Sequence, residues 1–257
     1  MKGGQLYRVT YILMSHGIFI FSFLCGIPLV PILLISHRFQ QSYFAFFYEL
    51  CQKVWDKGYA HARRAVLARL NDVESQDPSL KSRGLVRMLE VGAAYGPNLE
   101  FVGRPVEYWK VEPNPAFEPT FQKNLAANPK VKMERAFCAF GENMHMLPDG
   151  HFDVVLLTYV LCSAKDCPKL VSECKRVLKK GGVLLTCEHV GHKKGTLARF
   201  LQDIFAPFAT NFTCGCYMNR DSAEVIKSSG FARIDLQEVL IDIPFMYNRH
   251  IFGVATA

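Results

Sequence analysis

Short apolar runs of strand length alternate with helix-like segments over the last two thirds of the chain. Several runs are apolar almost throughout, as in parallel strands that are buried on both faces. They cover residues 85–91, 106–111, 131–137, 153–158 and 183–187. Two later runs, 231–240 and 250–255, alternate as a terminal antiparallel strand pair does.

The segments between these runs have the 3.6-residue period of amphipathic helices. They include residues 117–127, 195–208 and 221–229, and a short helix is expected between the first two strands. Another helix, capped by Asp166 or Ser163, is predicted to end at Gly181 and Gly182. The alternation predicts an α/β fold, with a mostly parallel, Rossmann-like sheet flanked by helices and ending in an antiparallel strand.

The first 36 residues have a different pattern, which predicts a hydrophobic membrane anchor. Residues 9–35 contain no charged side chain and exceed the ~20 residues that a helical span requires. A cleaved signal peptide is less favoured, since its apolar core is usually ~7–15 residues and no small-x-small cleavage site follows. Pro28 and Pro31 leave open whether the segment spans the bilayer or forms a hairpin, because Lys2, Arg8 and Arg38 put basic charge at both ends.

Residues 37–84 are interpreted as an amphipathic, interfacial helix followed by a linker. Aromatic side chains concentrate near the anchor in the helical segment 40–70, and Arg63, Arg64 and Arg69 form its basic side. A core helix packed on the following domain is the alternative, and both roles are compatible. The polar stretch 71–84 then leads into an α/β domain at residues 85–257.

Charge and cysteine content narrow the possible partners. The net charge is +7, but no run of Lys and Arg marks a nucleic-acid-binding arm, so the positive charge is expected to meet an anionic membrane surface or a cofactor rather than nucleic acid. The nine cysteines have no C-x-x-C spacing and no accompanying histidine cluster, which argues against a zinc site. Their dispersed arrangement predicts free thiols in a reducing compartment.

A glycine-containing turn after the first strand provides the first chemical signal. Glu90 and Gly92 end that strand, Gly96 follows, and Glu112 ends the next strand. Glycine permits close approach of a ligand to the backbone, and a carboxylate at this position can accept hydrogen bonds from both ribose hydroxyls. Because Pro97 replaces the third glycine of G-x-G-x-x-G, the pattern does not match a dinucleotide site.

The segment Glu90-x-Gly92-x-x-x-Gly96 resembles motif I of the class I S-adenosylmethionine (SAM) methyltransferases. Nearly the whole chain is similar to the methyltransferase-like 7 family of membrane-anchored alkyl thiol methyltransferases. The matching segments are Asp149-Gly150 before Phe152-Asp153-Val154-Val155, Leu161-Cys162-Ser163, Glu188-His189-Val190, and Gly215-Cys216 with Arg220. Ala94 and Glu112 depart from the family, which usually has glycine and aspartate there.

The resemblance implies transfer of the SAM methyl group to a small lipophilic acceptor, most plausibly the sulfur of an alkyl thiol. It also implies residence on the endoplasmic reticulum membrane and lipid droplets, with the domain facing the cytosol. Two alternatives remain open. One is methylation of an oxygen, nitrogen or carbon of a lipophilic molecule, and the other is a non-catalytic adaptor at a membrane or droplet.

A thiol acceptor reacts as its thiolate, so a nearby imidazole would assist the reaction. His189 is the candidate base and Glu188 its orienting partner, and the alternative is a strand-end histidine without a catalytic role. Cys162 is a third candidate for the chemistry, although a packing role is favoured for it; no metal is expected. Glu112 would hold the ribose, and Glu142 and Asn143 would edge the adenine. The full set expected at the cofactor is Glu90, Gly92, Ala94, Gly96, Glu112, Pro113, Asn114, Gly141, Glu142, Asn143, Thr158 and Leu161.

Overall fold

The computed structural model describes residues 2–257, and it describes the side chains of residues 10–22 and 24–257. The predicted anchor falls partly outside this range. Met1 and the side chains of Lys2 and Arg8, two charges expected to flank the apolar run, are among the parts not described.

A seven-stranded sheet forms the centre of the described chain. Its strands are β1 (Val86–Val91), β2 (Val106–Val111), β3 (Val131–Phe137), β4 (Phe152–Thr158), β5 (Leu178–His189), β6 (Arg233–Leu240) and β7 (Arg249–Thr256). Their spatial order is β3-β2-β1-β4-β5-β7-β6, and β7 runs in the opposite direction to the other six strands. The predicted parallel sheet with a terminal antiparallel strand is confirmed.

Helices pack against the sheet, and the first five of them precede it in the chain. They are α1 (Lys2–Gly26), α2 (Val30–Ile35), α3 (His37–Val54), α4 (Asp56–Ala68), α5 (Pro78–Ser82), α6 (Glu118–Ala126), α7 (Cys167–Val177), α8 (Leu197–Phe212) and α9 (Ser222–Lys227). Side chains alternate between the two faces of β4: Val155 and Leu157 join a core cluster with α7, whereas Val154 and Leu156 join one with α4. All seven residues of β4 are buried, as its continuous apolar run predicts.

The short helix expected between β1 and β2 is present as a 3-10 helix, Leu99–Phe101, which follows a turn with positive φ angles. Two local predictions are wrong. The long helix 40–70 is broken at Trp55 into α3 and α4. Helix α7 ends at Val177, before the glycine pair, because Leu178 is already extended and pairs with Phe152 as β5 begins.

The N-terminal apolar segment is helical along its described length. Thr10–Ile35 is long and apolar enough to cross a membrane. Its most apolar 18-residue stretch has a mean hydropathy of 2.7, and 12% of that stretch is buried. A 3-10 turn at Ile27–Leu29, which contains Pro28, separates α1 from α2. The segment also contacts the domain, since Trp55 Nε1 donates to Ser15 Oγ at 2.6 Å and Phe245 N donates to His16 Nε2 at 3.1 Å.

Helix α3 lies over the carboxyl ends of β1 and β2. Phe44 and Tyr48 pack edge-to-face on Phe117, and Tyr48 also contacts Tyr95 of the turn after β1. Gln41 accepts a hydrogen bond from Asn114 Nδ2 at 3.0 Å through its backbone carbonyl. The core-helix alternative therefore applies to this part of α3, which covers the edge of the sheet where ligands of open α/β folds bind.

Candidate active site

The turn after β1 has the backbone geometry of a close-approach loop. Gly92, Ala94 and Gly96 have φ angles of 72°, 46° and 81°. A Cβ added at Gly92 would lie 2.3 Å from Val160 Cγ2, so a side chain there would displace the loop after β4. Ala94 adopts the same left-handed region with a methyl group, which costs roughly 1–2 kcal/mol relative to glycine.

Glu112 closes this turn from the end of β2. Its carboxylate oxygens accept hydrogen bonds from Ala94 N and Asn114 N, both at 2.8 Å. Burial raises the pKa of Glu112 above its ordinary value, while these backbone donors oppose the change. The predicted ribose acid therefore lies against the predicted glycine turn, and neighbouring Pro113 and Asn114 contact Gln41 of α3.

The Glu90 side chain, near the end of β1, is linked by hydrogen bonds to β2 and, through Asn98, to the end of β4. Its carboxylate accepts hydrogen bonds from Asn98 Nδ2 at 2.7 Å and Tyr108 Oη at 2.5 Å. Asn98 Nδ2 also donates to Thr158 Oγ1 at 2.8 Å, at the end of β4. Burial raises the pKa of Glu90 to about 7. The acid at the start of motif I is thus held by the protein before any ligand contact.

The three residues of the segment 141–143 differ in their exposure to solvent. Gly141 is buried, and a Cβ there would lie 2.6 Å from Val91 Cγ1, so glycine allows this segment to pack against the end of β1. Glu142 Oε1 accepts from Lys165 N at 2.8 Å. Asn143 is exposed and contacts His145 at 2.9 Å. Glu142 is thus near the loop after β4, whereas the Asn143 side chain is directed to the surface.

Three side chains from separate segments meet beyond the ends of β4 and β5. Cys162 follows β4, His189 ends β5, and Cys216 follows α8; all three are buried. His189 Nε2 is 3.1 Å from Cys216 Sγ, and the three potential ligand atoms lie within 4.8 Å of one another. Burial lowers the pKa of His189, but the adjacent Cys162 sulfur raises it, and the net direction is upward.

Glu188 does not orient this imidazole. Its Oε1 accepts from Val160 N at 2.8 Å and Leu161 N at 3.2 Å, because neighbouring residues on a strand point to opposite faces. Glu188 therefore fixes the loop after β4, including the predicted residue Leu161. Burial raises the pKa of Glu188 to about 8. The expected Glu188–His189 pairing is wrong, and His189 Nδ1 has no hydrogen-bond partner among the described residues.

An apolar pocket opens onto the Cys162–His189–Cys216 cluster. It encloses about 110 Å³ and is lined by residues of α1, α3, α4 and α8, by the end of β5, and by the loops after β4, α8 and β6. Phe19 of α1, Phe47 of α3 and Phe212 of α8 contribute to its wall, together with Tyr159 beside the cluster. The pocket therefore connects the candidate membrane segment with the polar cluster, through walls that are mostly aromatic and aliphatic.

Arg63, which the sequence pattern assigns to the basic side of an interfacial helix, is a buried cation. Only 3% of its surface is exposed. Its Nη1 donates to Gln52 Oε1 at 2.7 Å, and its guanidinium carbon is 5.1 Å from the ring centre of Tyr159. Its Nη2 also donates to Tyr48 Oη at 3.4 Å, whereas its Nε has no hydrogen-bond acceptor among the described side chains, and no acidic side chain among them pairs with the guanidinium.

The sequence contains a signal for this burial. Arg63 lies three, four and seven residues before Val66, Leu67 and Leu70, all of them buried, so helical periodicity puts it on the apolar face. A charged residue on such a face is uncommon unless something compensates it. The burial of Arg63 could therefore have been predicted.

Comparisons with known proteins agree with this geometry. A family model described as a methyltransferase domain matches residues 89–186. The human thiol S-methyltransferase TMT1A is 32% identical over 216 residues, which cover 84% of this chain and 86% of that protein. The rat thiol S-methyltransferase TMT1B is 34% identical over 69% of this chain and 73% of its own.

The chain belongs to the thiol S-methyltransferase family. It is accordingly a SAM-dependent methyltransferase. A solved SAM-dependent methyltransferase from Thermotoga maritima shares the fold, with a TM-score of 0.54 at 16% identity over 83% of this chain and 98% of that one. The resemblance drawn from motif I and the Glu188-His189-Val190 segment is confirmed.

The residues present fit SAM. Glu112 lies against a turn of three positive-φ residues, as a ribose-binding acid should. The unpaired guanidinium of Arg63 can neutralise the carboxylate of the methionine part, and Glu90 can receive its ammonium group. The buried, acceptor-less Nε of Arg63 is the observation that supports this fit, because a buried charge is expected to have a partner.

Proposed function

We propose that this enzyme transfers the SAM methyl group to the sulfur of a lipophilic thiol bound in the apolar pocket. One observation carries the proposal: the pocket has aromatic walls, and its lining includes both His189 and residues of the loop that follows β4. That loop also touches the cofactor turn, since Val160 packs on Gly92. The thiol named for the human and rat relatives supports sulfur as the acceptor atom.

The chain's contribution is to position the acceptor, exclude water and accept a proton. SAM, when bound, supplies a methyl group on a positively charged sulfur. A thiol reacts as its thiolate, and a free thiol has a pKa near ~8.5. His189 is buried in the pocket lining and can accept that proton at Nδ1, the nitrogen without a hydrogen-bond partner among the described residues. Tyr247 packs edge-to-face on the imidazole and fixes its plane.

Cys162 and Glu188 have supporting roles in this proposal. Cys162 contacts the same cluster, and its pKa lies well above the ordinary value because of a hydrogen bond to the Cys216 thiol and burial. It is therefore a neutral thiol in the pocket wall at neutral pH. Glu188 positions the loop that separates cofactor from acceptor, so it acts on geometry rather than on the proton.

We also propose that the Thr10–Ile35 segment anchors the enzyme in the endoplasmic reticulum membrane and in lipid droplets, with residues 85–257 in the cytosol. Beyond its hydropathy, α8 supports a membrane-facing surface. It exposes large apolar side chains next to the anchor: Leu197, Phe200, Ile204, Phe205 and Phe208. Gly26 at the end of α1 permits this packing, since a Cβ there would be 2.8 Å from Phe212 Cε1. A lipophilic acceptor can then reach the pocket from the bilayer.

The test is methylation by full-length enzyme in detergent micelles with labelled SAM and matched acceptors. An alkyl thiol, alcohol and amine of equal chain length should differ, with the thiol alone giving product above background. Lengthening the thiol by one methylene should raise kcat/KM about 2–4-fold per step until the pocket is filled, because each buried methylene contributes ~0.8 kcal/mol. Preference for the alcohol or phenol would favour an oxygen acceptor, and no transfer to any acceptor would favour an adaptor.

A further inference from the structure

Cys162, His189 and Cys216 form a preorganised group of soft ligands. A hydrogen bond from Tyr217 N to the Cys162 carbonyl, 2.9 Å long, ties together the two loops that carry the cysteines. Arg220 further fixes the Cys162 loop by donating to the carbonyl of Leu161 at 2.7 Å. The cluster is therefore held by the backbone on both sides.

The spacing of the three ligand atoms suits a tetrahedral ion. With Zn–S near 2.3 Å and Zn–N near 2.0–2.1 Å, ligand atoms around zinc are separated by about 3.5–3.8 Å. Here the His189 Nε2 to Cys216 Sγ distance is 3.1 Å, and all three atoms lie within 4.8 Å of one another. Shifts of up to about 1 Å, within the range of a side-chain rotation, bring them to coordination distance.

The composition of the cluster favours zinc over harder cations. Two thiolates and one imidazole are the ligand set of some catalytic zinc sites, which keep a fourth position open. Two thiolates also neutralise Zn²⁺, so the occupied site has no net charge in its apolar surroundings. All three side chains line the pocket, so the open position faces the place where the acceptor binds.

We propose that Cys162, His189 and Cys216 bind one zinc ion that holds the acceptor sulfur during methyl transfer. The catalytic part of this inference rests on the proposed thiol methyltransferase function. Binding of the ion releases one proton from each cysteine. The acceptor thiol then takes the fourth position, and its proton leaves to solvent.

The transfer step is balanced without a further reactant. A lone pair of the coordinated acceptor sulfur forms the new S–CH₃ bond, while the bond between that methyl carbon and the SAM sulfur breaks and its electron pair neutralises the sulfonium. The products are a methyl thioether and S-adenosylhomocysteine. A neutral thioether is a weak zinc ligand, so it leaves and the position reopens. In the zinc-bound enzyme His189 is therefore a ligand, and the role of base given above applies to the enzyme without zinc.

The test measures metal content and ligand environment directly. Full-length enzyme expressed with zinc and purified in detergent should contain about one zinc per chain by elemental analysis. Enzyme loaded with Co²⁺ instead should show thiolate-to-cobalt charge-transfer absorption and the visible bands of four-coordinate cobalt. Addition of an alkyl thiol, without SAM, should shift those bands, whereas the alcohol of equal chain length should leave them unchanged.

Variants assign the ligands. Cys162→Ser, His189→Ala and Cys216→Ser should each lower zinc content at least about fivefold, whereas Cys174→Ser, which changes a buried cysteine of α7 outside the cluster, should keep it. SAM affinity measured on each variant verifies folding. Chelator-treated wild type, which carries no substitution, should lose thiol transfer and regain it when zinc is returned.

Each contrary result is distinct. A metal-free wild type that methylates thiols overturns the zinc site and leaves the thiol methyltransferase function intact, with His189 as base. A disulfide between Cys162 and Cys216 in the active enzyme also overturns it. A zinc-loaded enzyme that methylates no thiol leaves the site in place but removes its catalytic role and the proposed function together.

Discussion

Glu112 Oε2 accepts a hydrogen bond from the backbone N–H of Ala94 at 2.8 Å. These are two of the positions at which the resemblance to the family led us to expect other residues, aspartate in place of Glu112 and glycine in place of Ala94. The longer acid and the added methyl group thus meet in one contact. The pair is consistent with mutual compensation, in which glutamate reaches a turn that alanine holds in a fixed left-handed conformation.

A double-mutant cycle on this pair should reveal coupling. Glu112→Asp should weaken SAM binding about tenfold, because the shorter side chain loses contact with the Ala94 N–H. The same substitution in the Ala94→Gly background should cost less, with a coupling of about 1 kcal/mol, since residues in contact are not additive. Isothermal titration calorimetry of the four proteins measures this. Additive losses would show that the two departures are independent.

Arg63→Met should separate cofactor binding from stability. Removing the guanidinium should lower SAM affinity at least about tenfold by calorimetry, because the methionine carboxylate loses its charged partner. The free energy of unfolding without SAM should stay constant or rise, since a buried charge without an ion-pair partner is replaced by an apolar side chain. Arg64→Met, which changes the adjacent exposed arginine of α4, is the matched control and should leave both quantities unchanged.

Unimpaired SAM binding by the Arg63→Met variant would remove Arg63 from the cofactor site. A large loss of stability without SAM would instead assign the guanidinium a structural role, through its contacts with Gln52 and Tyr159.

Glu90 should make the stability of the SAM-free enzyme depend on pH. Its pKa is about 7 in the folded protein, against 4.5 for an ordinary glutamate. The folded state therefore binds the Glu90 proton more strongly than the unfolded state does. The resulting contribution to the free energy of unfolding is fully present below pH ~4.5 and is lost as the pH rises through ~7. Glu90→Gln should abolish this pH-dependent contribution. The free energy of unfolding of wild type should therefore fall relative to that of the variant by roughly 1–3 kcal/mol between pH 5 and 8.

Chemical denaturation at several pH values measures the effect. Glu134→Gln removes the same charge from an exposed position on β3 and should not alter the slope relative to wild type. Parallel pH profiles for wild type and the Glu90→Gln variant would show that Glu90 is ionised in the folded state throughout this range.

Membrane topology should follow the anchor. In sealed microsomes, added protease should digest residues 85–257, and carbonate extraction should leave the full-length chain in the membrane. Removing residues 1–36 should weaken membrane retention without abolishing it, since the exposed apolar side of α8 remains. A lumenal protein measured in the same sample verifies that the vesicles are sealed. Protection of the domain from protease would place it in the lumen.

The Asn211-Phe212-Thr213 sequon is a secondary reporter. Asn211 lies inside α8, where its side chain donates to the carbonyl of Pro207 at 3.2 Å, so the folded site is poorly presented for glycosylation. Protease accessibility is therefore the decisive measurement, and a glycosidase-sensitive shift in mobility would independently contradict a cytosolic domain.

The sequence by itself determined the sheet, the cofactor turn and the family. These depend on short-range information: apolar runs such as Phe152–Thr158 identify buried strands, and the spacing of Glu90, Gly92 and Gly96 lies within one turn. Glu112 was found in the same way, because the strand ends of a βαβ unit are separated by a regular length of chain. The helical periodicity of the sequence also indicates that Arg63 is buried, although its charge suggests a surface position.

The tertiary structure alone decided which distant side chains meet. His189 and Cys216 are 27 residues apart and lie on a strand end and a loop, so no spacing rule brings them together with Cys162. The side chains of Glu188 and His189 point to opposite faces of β5, and the groups that each one meets depend on how β5 packs with the neighbouring elements. The position of α3 over the cofactor turn depended on Tyr48 and Phe117, which pack across the fold. Such contacts arise from long-range packing, which a local pattern of hydrophobic residues does not specify.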